Sequence, residues 1–278
     1  MDYLELRVTL TPFQPWAEIV TAQLATIGFD SFVEEKNVLL AYAPKESWSE
    51  KELRQTLSAL QTGEVQLSWE TNEIENQNWN AAWESEFQPV FVADRLVICA
   101  PFHEIKDDFE YAVVIQPQMS FGTGHHQTTW LLSKRMLAMD FKNKSVLDVG
   151  TGTGVLAILA NLLGATSIVA TEIDAGSCEN ALENFERNNC STIQLIEGDI
   201  DKVDDNKRDV IIANINKNIL KKHLPHYSER IKKGGRLLLS GFFDSDVEEL
   251  EKSAESCNFK KTDVFTKEEW AVLELIKV

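Results

Sequence analysis

The chain has 278 residues, 44% of them hydrophobic, which is enough for one large domain or two of ordinary size. Its formal net charge of −17 at pH 7 argues against broad binding to a nucleic-acid backbone, and its four scattered cysteines argue against a zinc site or a disulfide framework. Because no apolar run approaches the roughly 20 residues of a membrane span, we expect a cytoplasmic protein with no membrane segment.

The first 70 residues show strand and helix patterns in turn. Alternating and helical spacings predict strands over 3–10, 32–33, 38–42 and 65–69 and helices over 15–27 and 50–60. Ser49 and Glu52 have the spacing of a capping box at the start of the second helix. The order β-α-β-β-α-β is that of a small ferredoxin-like α+β domain, which we expect over residues 1–70.

Residues 71–88 form an acidic segment that contains Trp79 and Trp83. The spacing of these two residues places both indoles on one face of a short linking helix. We expect this face to pack on a neighbouring domain, and contact with a substrate is the alternative.

From residue 89 onwards, strand and helix patterns alternate to the end of the chain. Predicted strands cover 95–99, 111–115, 145–149, 167–171, 192–196, 209–213, 235–240 and 270–277, and predicted helices cover 126–139, 155–163, 175–188, 217–231 and 244–256. Strands separated by helices indicate a doubly wound parallel sheet, which binds its ligand at the carboxyl ends of the strands. We expect one α/β domain over residues 89–278.

A glycine-rich loop follows the predicted strand 145–149. It contains Gly150, Gly152 and Gly154 and leads directly into a helix, as in sites that bind a nucleotide-type cofactor. Glu172 follows the next strand, where its carboxylate can accept both ribose hydroxyls of an adenosine. NAD and S-adenosylmethionine share that ribose. Asp174 is either a weaker candidate for the same role or the N-cap of the next helix.

Two more polar residues end predicted strands of this domain. Asp199 lies where a carboxylate can reach the amino group of adenine, and a plain turn aspartate is the alternative. Asn214 ends the buried strand 209–213, so we expect its side chain to face the ligand.

A second glycine loop, Phe121-Gly-Thr-Gly124, precedes His125, His126, Thr128 and Thr129. Such a loop can fold over a bound ligand while a threonine hydroxyl donates to it. No third metal ligand is spaced near the two histidines, so we expect no metal. We expect His126 to be a hydrogen-bonded structural residue at the start of the helix.

Three segments carry a resemblance to a known family: Phe121-Gly-Thr-Gly124, Asp148-Val-Gly-Thr-Gly-Thr-Gly154 and Ala213-Asn-Ile215. With them, nearly the whole chain resembles the bacterial ribosomal protein L11 methyltransferases. The resemblance implies a class I (Rossmann-like) methyltransferase domain that binds S-adenosyl-L-methionine, preceded by a domain that recognises the substrate. It also implies methylation of lysine ε-amines and of the N-terminal α-amine of ribosomal protein L11.

The resemblance implies cofactor contacts at Thr129, Gly150, Glu172 and Asn214. To these we add the loop and strand-end positions Phe121, Gly122, Thr123, Gly124, Gly152 and Asp199. We expect Asn214 also to orient the acceptor amine or the methionine part of the cofactor.

The chain departs from the usual residues of the family at Gln118, Ser120 and Glu172, where Gly, Ala and Asp are usual, and at Asn216-Lys217 on the acceptor side. Two other activities stay open. One is methyl transfer to another protein lysine or glutamine, or to a small molecule. The other is NAD-dependent oxidation or reduction, which needs a hydride-handling pair that the sequence does not show. An acidic enzyme suits a basic protein substrate. We expect a monomer that binds no nucleic acid directly.

Overall fold

The computed structural model describes residues 3–61, 63–74, 84, 86–105, 108–118 and 120–278, and the chain divides into two compact units, residues 1–87 and 88–278. The interpretation of Trp79 and Trp83 lies outside the described residues. No described helix is long and apolar enough to cross a membrane.

The first unit is a four-stranded antiparallel sheet with two helices. Its elements are β1 (Tyr3–Thr11), α1 (Trp16–Ala25), β2 (Ser31–Glu35), β3 (Val38–Pro44), α2 (Glu50–Leu60) and β4 (Gln66–Ile74). The strand order β2-β3-β1-β4 is that of the split βαβ arrangement. Ser49 is the N-cap of α2, but its side chain makes no capping hydrogen bond, so the capping-box prediction is wrong.

The second unit contains a three-stranded and a seven-stranded sheet. The small sheet consists of β5 (Val90–Val92), β6 (Leu96–Cys99) and β7 (Tyr111–Val114). The large sheet consists of β8 (Ser145–Val149), β9 (Ser167–Glu172), β10 (Gln194–Glu197), β11 (Arg208–Asn214), β12 (Ile231–Phe243), β13 (Phe259–Lys267) and β14 (Trp270–Lys277). The helices are α3 (Gln127–Met136), α4 (Val155–Leu162), α5 (Ala175–Arg187), α6 (Lys217–Arg230) and α7 (Val247–Glu255).

The large sheet has the order β10-β9-β8-β11-β12-β14-β13, and its first five strands are parallel. The doubly wound prediction is therefore confirmed. The sheet is not wholly parallel, however, because β14 runs antiparallel to both of its neighbours. The strand β8 lies between β9 and β11, where the strand order reverses, so the loop after β8 is at the expected ligand position.

The strand β13 was not predicted. It lies at the edge of the sheet, and most of its side chains are exposed or half-buried, so its sequence has no continuous apolar run. The segment predicted as a helix over 244–256 begins with a 3-10 turn at Asp244–Asp246, and α7 starts only at Val247.

Candidate functional site

A cleft opens at the carboxyl ends of β8, β9, β10 and β11, and we call it the glycine-loop cleft. The lining residues are Phe121, Val149, Gly150, Gly152, Thr171, Glu172, Ile173, Ser177, Gly198, Asp199, Asn214, Ile215, Ile219 and His223. Six of the predicted site residues line it: Phe121, Gly150, Gly152, Glu172, Asp199 and Asn214. The predicted residues Gly122, Thr123, Gly124 and Thr129 are not among its lining residues.

The glycines of the loop after β8 are required by close approaches of the backbone. Gly150 and Gly152 have φ values of +71° and +56°. A Cβ atom on Gly150 would lie 2.3 Å from a methyl carbon of Ile215, and one on Gly152 would lie 2.2 Å from the carbonyl oxygen of Phe121. A side chain at either position would therefore clash with the neighbouring chain segment.

Thr153 joins the two glycine loops. Its backbone N–H donates to the carbonyl of Phe121 at 2.9 Å, and its hydroxyl donates to the carbonyl of Gly122 at 2.7 Å. The loop that carries Phe121 is therefore held directly over the loop after β8. Phe121 stays 52% exposed, so its ring can cover a ligand.

The carboxylate of Glu172 is fixed by backbone donors at the mouth of the cleft. One oxygen accepts the N–H of Gly152 at 2.9 Å, and the other accepts those of Ile173 at 2.8 Å and Asp174 at 3.1 Å. These three donors fix the orientation of the Glu172 carboxylate in the wall of the cleft. Asp174 instead accepts the N–H of Ser177 at 2.7 Å as the N-cap of α5, which is its alternative role.

Asp148 is buried beneath the same loop. The hydroxyl of Thr151 donates to its carboxylate at 2.6 Å. Burial raises the pKa of Asp148 to about 6, and the charge of Glu172 adds to the rise. Part of the Asp148 population therefore holds a proton at slightly acidic pH.

Asn214 lies at the end of β11 with one unused acceptor. Its amide nitrogen lies 3.5 Å from the hydroxyl oxygen of Thr129, so Thr129 stands behind Asn214. Its carbonyl oxygen is buried and has no hydrogen-bond partner among the described residues. A buried acceptor without a partner is costly, so this atom calls for an N–H donor from a ligand.

A second cavity adjoins the glycine-loop cleft at Asn214, and we call it the aromatic cavity. Its lining residues are Phe121, His126, Thr128, Asn214, Ile215, Asn216, Gly241 and Trp270. It shares Phe121, Asn214 and Ile215 with the glycine-loop cleft. The two spaces therefore meet at Asn214.

His126 and Trp270 form the aromatic wall of this cavity, with ring centroids 4.5 Å apart. As predicted, His126 is structural at the helix start, because its Nδ1 accepts the N–H of Thr128 as the N-cap of α3. Burial lowers the pKa of His126. The same Nδ1 lies 2.8 Å from the hydroxyl oxygen of Thr128, so Thr128 fixes this edge of the ring.

Sequence reasoning missed several lining residues, among them Ile173, Ile219, His223 and Trp270. A signal for His223 existed, because it falls on the buried face of α6 with Leu220, Leu224 and Tyr227. Trp270 carried no such signal as the first residue of a strand. Among the described residues there is no group of three His, Cys, Asp or Glu that could hold a metal ion.

Known proteins match the chain over nearly its whole length. A family model for ribosomal protein L11 methyltransferase (PrmA) matches residues 20–277. The ribosomal protein L11 methyltransferase of Phocaeicola vulgatus is 37% identical over 279 residues, covering 99% of each chain. That of Porphyromonas gingivalis is 37% identical over 92% of this chain and 89% of its own. A crystal structure of ribosomal protein L11 methylase from Lactobacillus delbrueckii subsp. bulgaricus has a TM-score of 0.65 and 28% identity, covering 69% of this chain and 100% of that chain.

The glycine-loop cleft fits a positively charged cofactor. Its described lining includes the carboxylates of Glu172 and Asp199, and it includes no lysine or arginine. This charge suits a sulfonium better than the pyrophosphate of NAD. The chain therefore belongs to the ribosomal protein L11 methyltransferase family and is a class I enzyme that uses S-adenosylmethionine.

Proposed function

We propose that the chain methylates lysine ε-amines and the N-terminal α-amine of ribosomal protein L11. The observation that carries the proposal is the junction at Asn214, where a cleft suited to the cofactor meets a second cavity that can receive an amine. The names of the relatives support the choice of L11 as the acceptor.

Different residues of the cleft bind different parts of the cofactor. Glu172 takes the ribose hydroxyls, Asp199 accepts from the adenine amino group, and Asn214 lies at the methionine end. Gly150 and Gly152 let the backbone approach the ligand, and Phe121 covers it. When bound, the cofactor supplies a methyl group on a positively charged sulfur. Thr129 acts through Asn214, and Gly122, Thr123 and Gly124 shape the covering loop.

The aromatic cavity prepares the acceptor amine. A free lysine has a pKa of about 10.4, and only its neutral form is a nucleophile. The rings of Phe121 and Trp270 remove water from the amine and so favour the neutral form. The carbonyl oxygen of Asn214 accepts an N–H of the amine and aims its lone pair towards the cleft.

His126 does not serve as the general base. Its Nδ1 is held by the backbone N–H and the hydroxyl of Thr128, which gives the ring a structural role as the N-cap of α3. The described lining of the aromatic cavity includes no carboxylate, so we assign removal of the amine proton to solvent.

The experiment is incubation of the full chain with labelled S-adenosylmethionine and purified L11, followed by mass spectrometry of the labelled peptides. We expect label on lysines and on the N-terminal residue. A mixture of other ribosomal proteins serves as the control. Label on those proteins and none on L11 would contradict the proposed acceptor.

A further inference from the structure

His223 is a buried polar residue in the wall of the glycine-loop cleft that the proposed mechanism does not use. It projects from α6 and is 2% exposed. It lines the cleft together with Gly198, Asp199 and Ile219. A buried histidine needs hydrogen-bond partners for both ring nitrogens, so its neighbours decide its role.

One neighbour is Tyr227, one helical turn further along α6. Its hydroxyl oxygen lies 3.4 Å from Nδ1 of His223, and its side chain is fully buried. Burial raises the pKa of Tyr227 strongly, so the phenol keeps its proton and can donate it. Burial lowers the pKa of His223, which favours a neutral ring. With Nδ1 as the acceptor, the single ring proton lies on Nε2.

The other neighbour is Asp199. Nε2 of His223 lies 3.2 Å from Oδ2 of Asp199. Oδ1 of the same carboxylate accepts the backbone N–H of Ile200 at 2.7 Å. Each oxygen therefore has one partner from the chain, and these two partners fix the plane of the carboxylate. The side chain is still 45% exposed, so lone pairs remain available on the side of the cleft.

A carboxylate only accepts hydrogen bonds, so it distinguishes an amino group from a carbonyl when it is held facing position 6 of the purine rather than N1. We propose that Tyr227 and His223 hold Asp199 in the orientation that accepts the 6-amino group, so that His223 is a positioning residue that makes the site select adenine over hypoxanthine. The inference rests on the proposed placement of adenine at Asp199.

The test is calorimetric binding of S-adenosylhomocysteine and of its 6-oxo analogue, S-inosylhomocysteine, to the full chain. The two ligands differ only at the N1–C6 edge of the purine, where the 6-oxo analogue has a carbonyl and an N1–H in place of the amino group and the N1 acceptor, so the ratio of their Kd values measures selection at this edge. His223→Leu removes the Nε2 donor, and we expect the ratio to fall about tenfold, mainly through weaker binding of the adenine ligand. His223→Gln, whose amide N–H reaches close to the position of Nε2, restores most of the ratio.

Two control variants separate the possible failures. Glu172→Gln weakens both ligands alike, since both contain the ribose, and leaves the ratio unchanged. Asp199→Asn lowers the ratio, because an amide also donates. If His223→Leu keeps the wild-type ratio while Asp199→Asn lowers it, His223 has no positioning role and the adenine placement stands. If both variants keep the ratio, the placement at Asp199 is wrong as well. Should His223→Leu fail to fold, Tyr227→Phe gives the same comparison, and an unchanged ratio there overturns the proposal.

Discussion

Asn214 connects the glycine-loop cleft with the aromatic cavity through one buried oxygen that lacks a partner among the described residues. Asn214→Ala removes this acceptor and leaves the amine free to rotate. We expect kcat at saturating substrates to fall on the order of 100-fold, because misplacing a reacting group has effects of that size.

The measurement is the steady-state methylation rate of L11. Asn218→Ala is the matched control, since Asn218 is exposed on α6 and lines neither space. A kcat for Asn214→Ala equal to that of the control variant would show that Asn214 does not orient the amine.

Asp148 gives the second prediction at this scale, which concerns pH. Its folded-state pKa of about 6 lies above the ordinary 3.8, because burial disfavours the charge. Between these two values the folded chain keeps a proton that the unfolded chain has lost. The free energy of unfolding therefore falls as the pH rises through this window, by up to about 3 kcal/mol. Asp148→Asn does not titrate, so its stability relative to wild type should rise by that amount from pH 4 to pH 7.

Urea denaturation at several pH values measures this difference. Asp108→Asn, at an exposed position, is the control. A constant difference between wild type and Asp148→Asn across the window would mean that Asp148 titrates normally in the folded chain.

At the scale of elements, α5 holds the base of the covering loop. Asn184 is fully buried on this helix, accepts the N–H of Gln116 at 2.8 Å and donates to the carbonyl of Thr153 at 2.9 Å. Asn184→Ala leaves both backbone groups without partners, so we expect a loss of about 2–3 kcal/mol of stability. Hydrogen exchange should also become faster over residues 116–124. Glu179→Ala, at an exposed position of the same helix, is the control. Unchanged exchange over that segment would mean that Asn184 does not hold the loop.

The sequence predicted those elements that carry strong periodicity and those site residues that follow buried strands. Gly150, Glu172 and Asn214 were predictable because the carboxyl ends of parallel strands meet at one edge of the sheet. Trp270 was not predictable, since β14 brings it to the site only by running antiparallel beside β12. The edge strand β13 was not predictable either, because its side chains are mostly exposed and follow no apolar pattern.

At the scale of the whole molecule, the net charge of −17 should favour a basic protein substrate. We expect the KM for L11 to rise about tenfold when the ionic strength is raised from 0.05 to 0.5 M, since salt screens attraction between exposed charges. The Kd for S-adenosylhomocysteine is the control, because this product has no sulfonium charge and should respond much less. A KM that does not depend on salt would show that electrostatic attraction does not contribute to substrate recognition.

The two units have separate hydrophobic cores. The first unit has one core, formed by residues between 4 and 67, and the second unit has two, formed by residues between 92 and 275. Every residue that lines the glycine-loop cleft comes from the second unit. We therefore expect a chain of residues 88–278 to fold and to bind S-adenosylmethionine with an affinity close to that of the full chain. A cut at residue 70 would divide β4, which runs to Ile74.

The family resemblance implies that the first unit recognises the protein substrate, and its first 70 residues include eleven acidic and five basic ones. Its removal should therefore abolish methylation of L11 while calorimetric binding of the cofactor persists. The binding measurement is itself the control, because it shows that the shortened chain is folded. If the shortened chain methylated L11 at the rate of the full chain, recognition would have to lie within residues 88–278. The surface around the aromatic cavity, where Trp270 and the half-exposed ring of Phe121 lie, would then be the place to look for it.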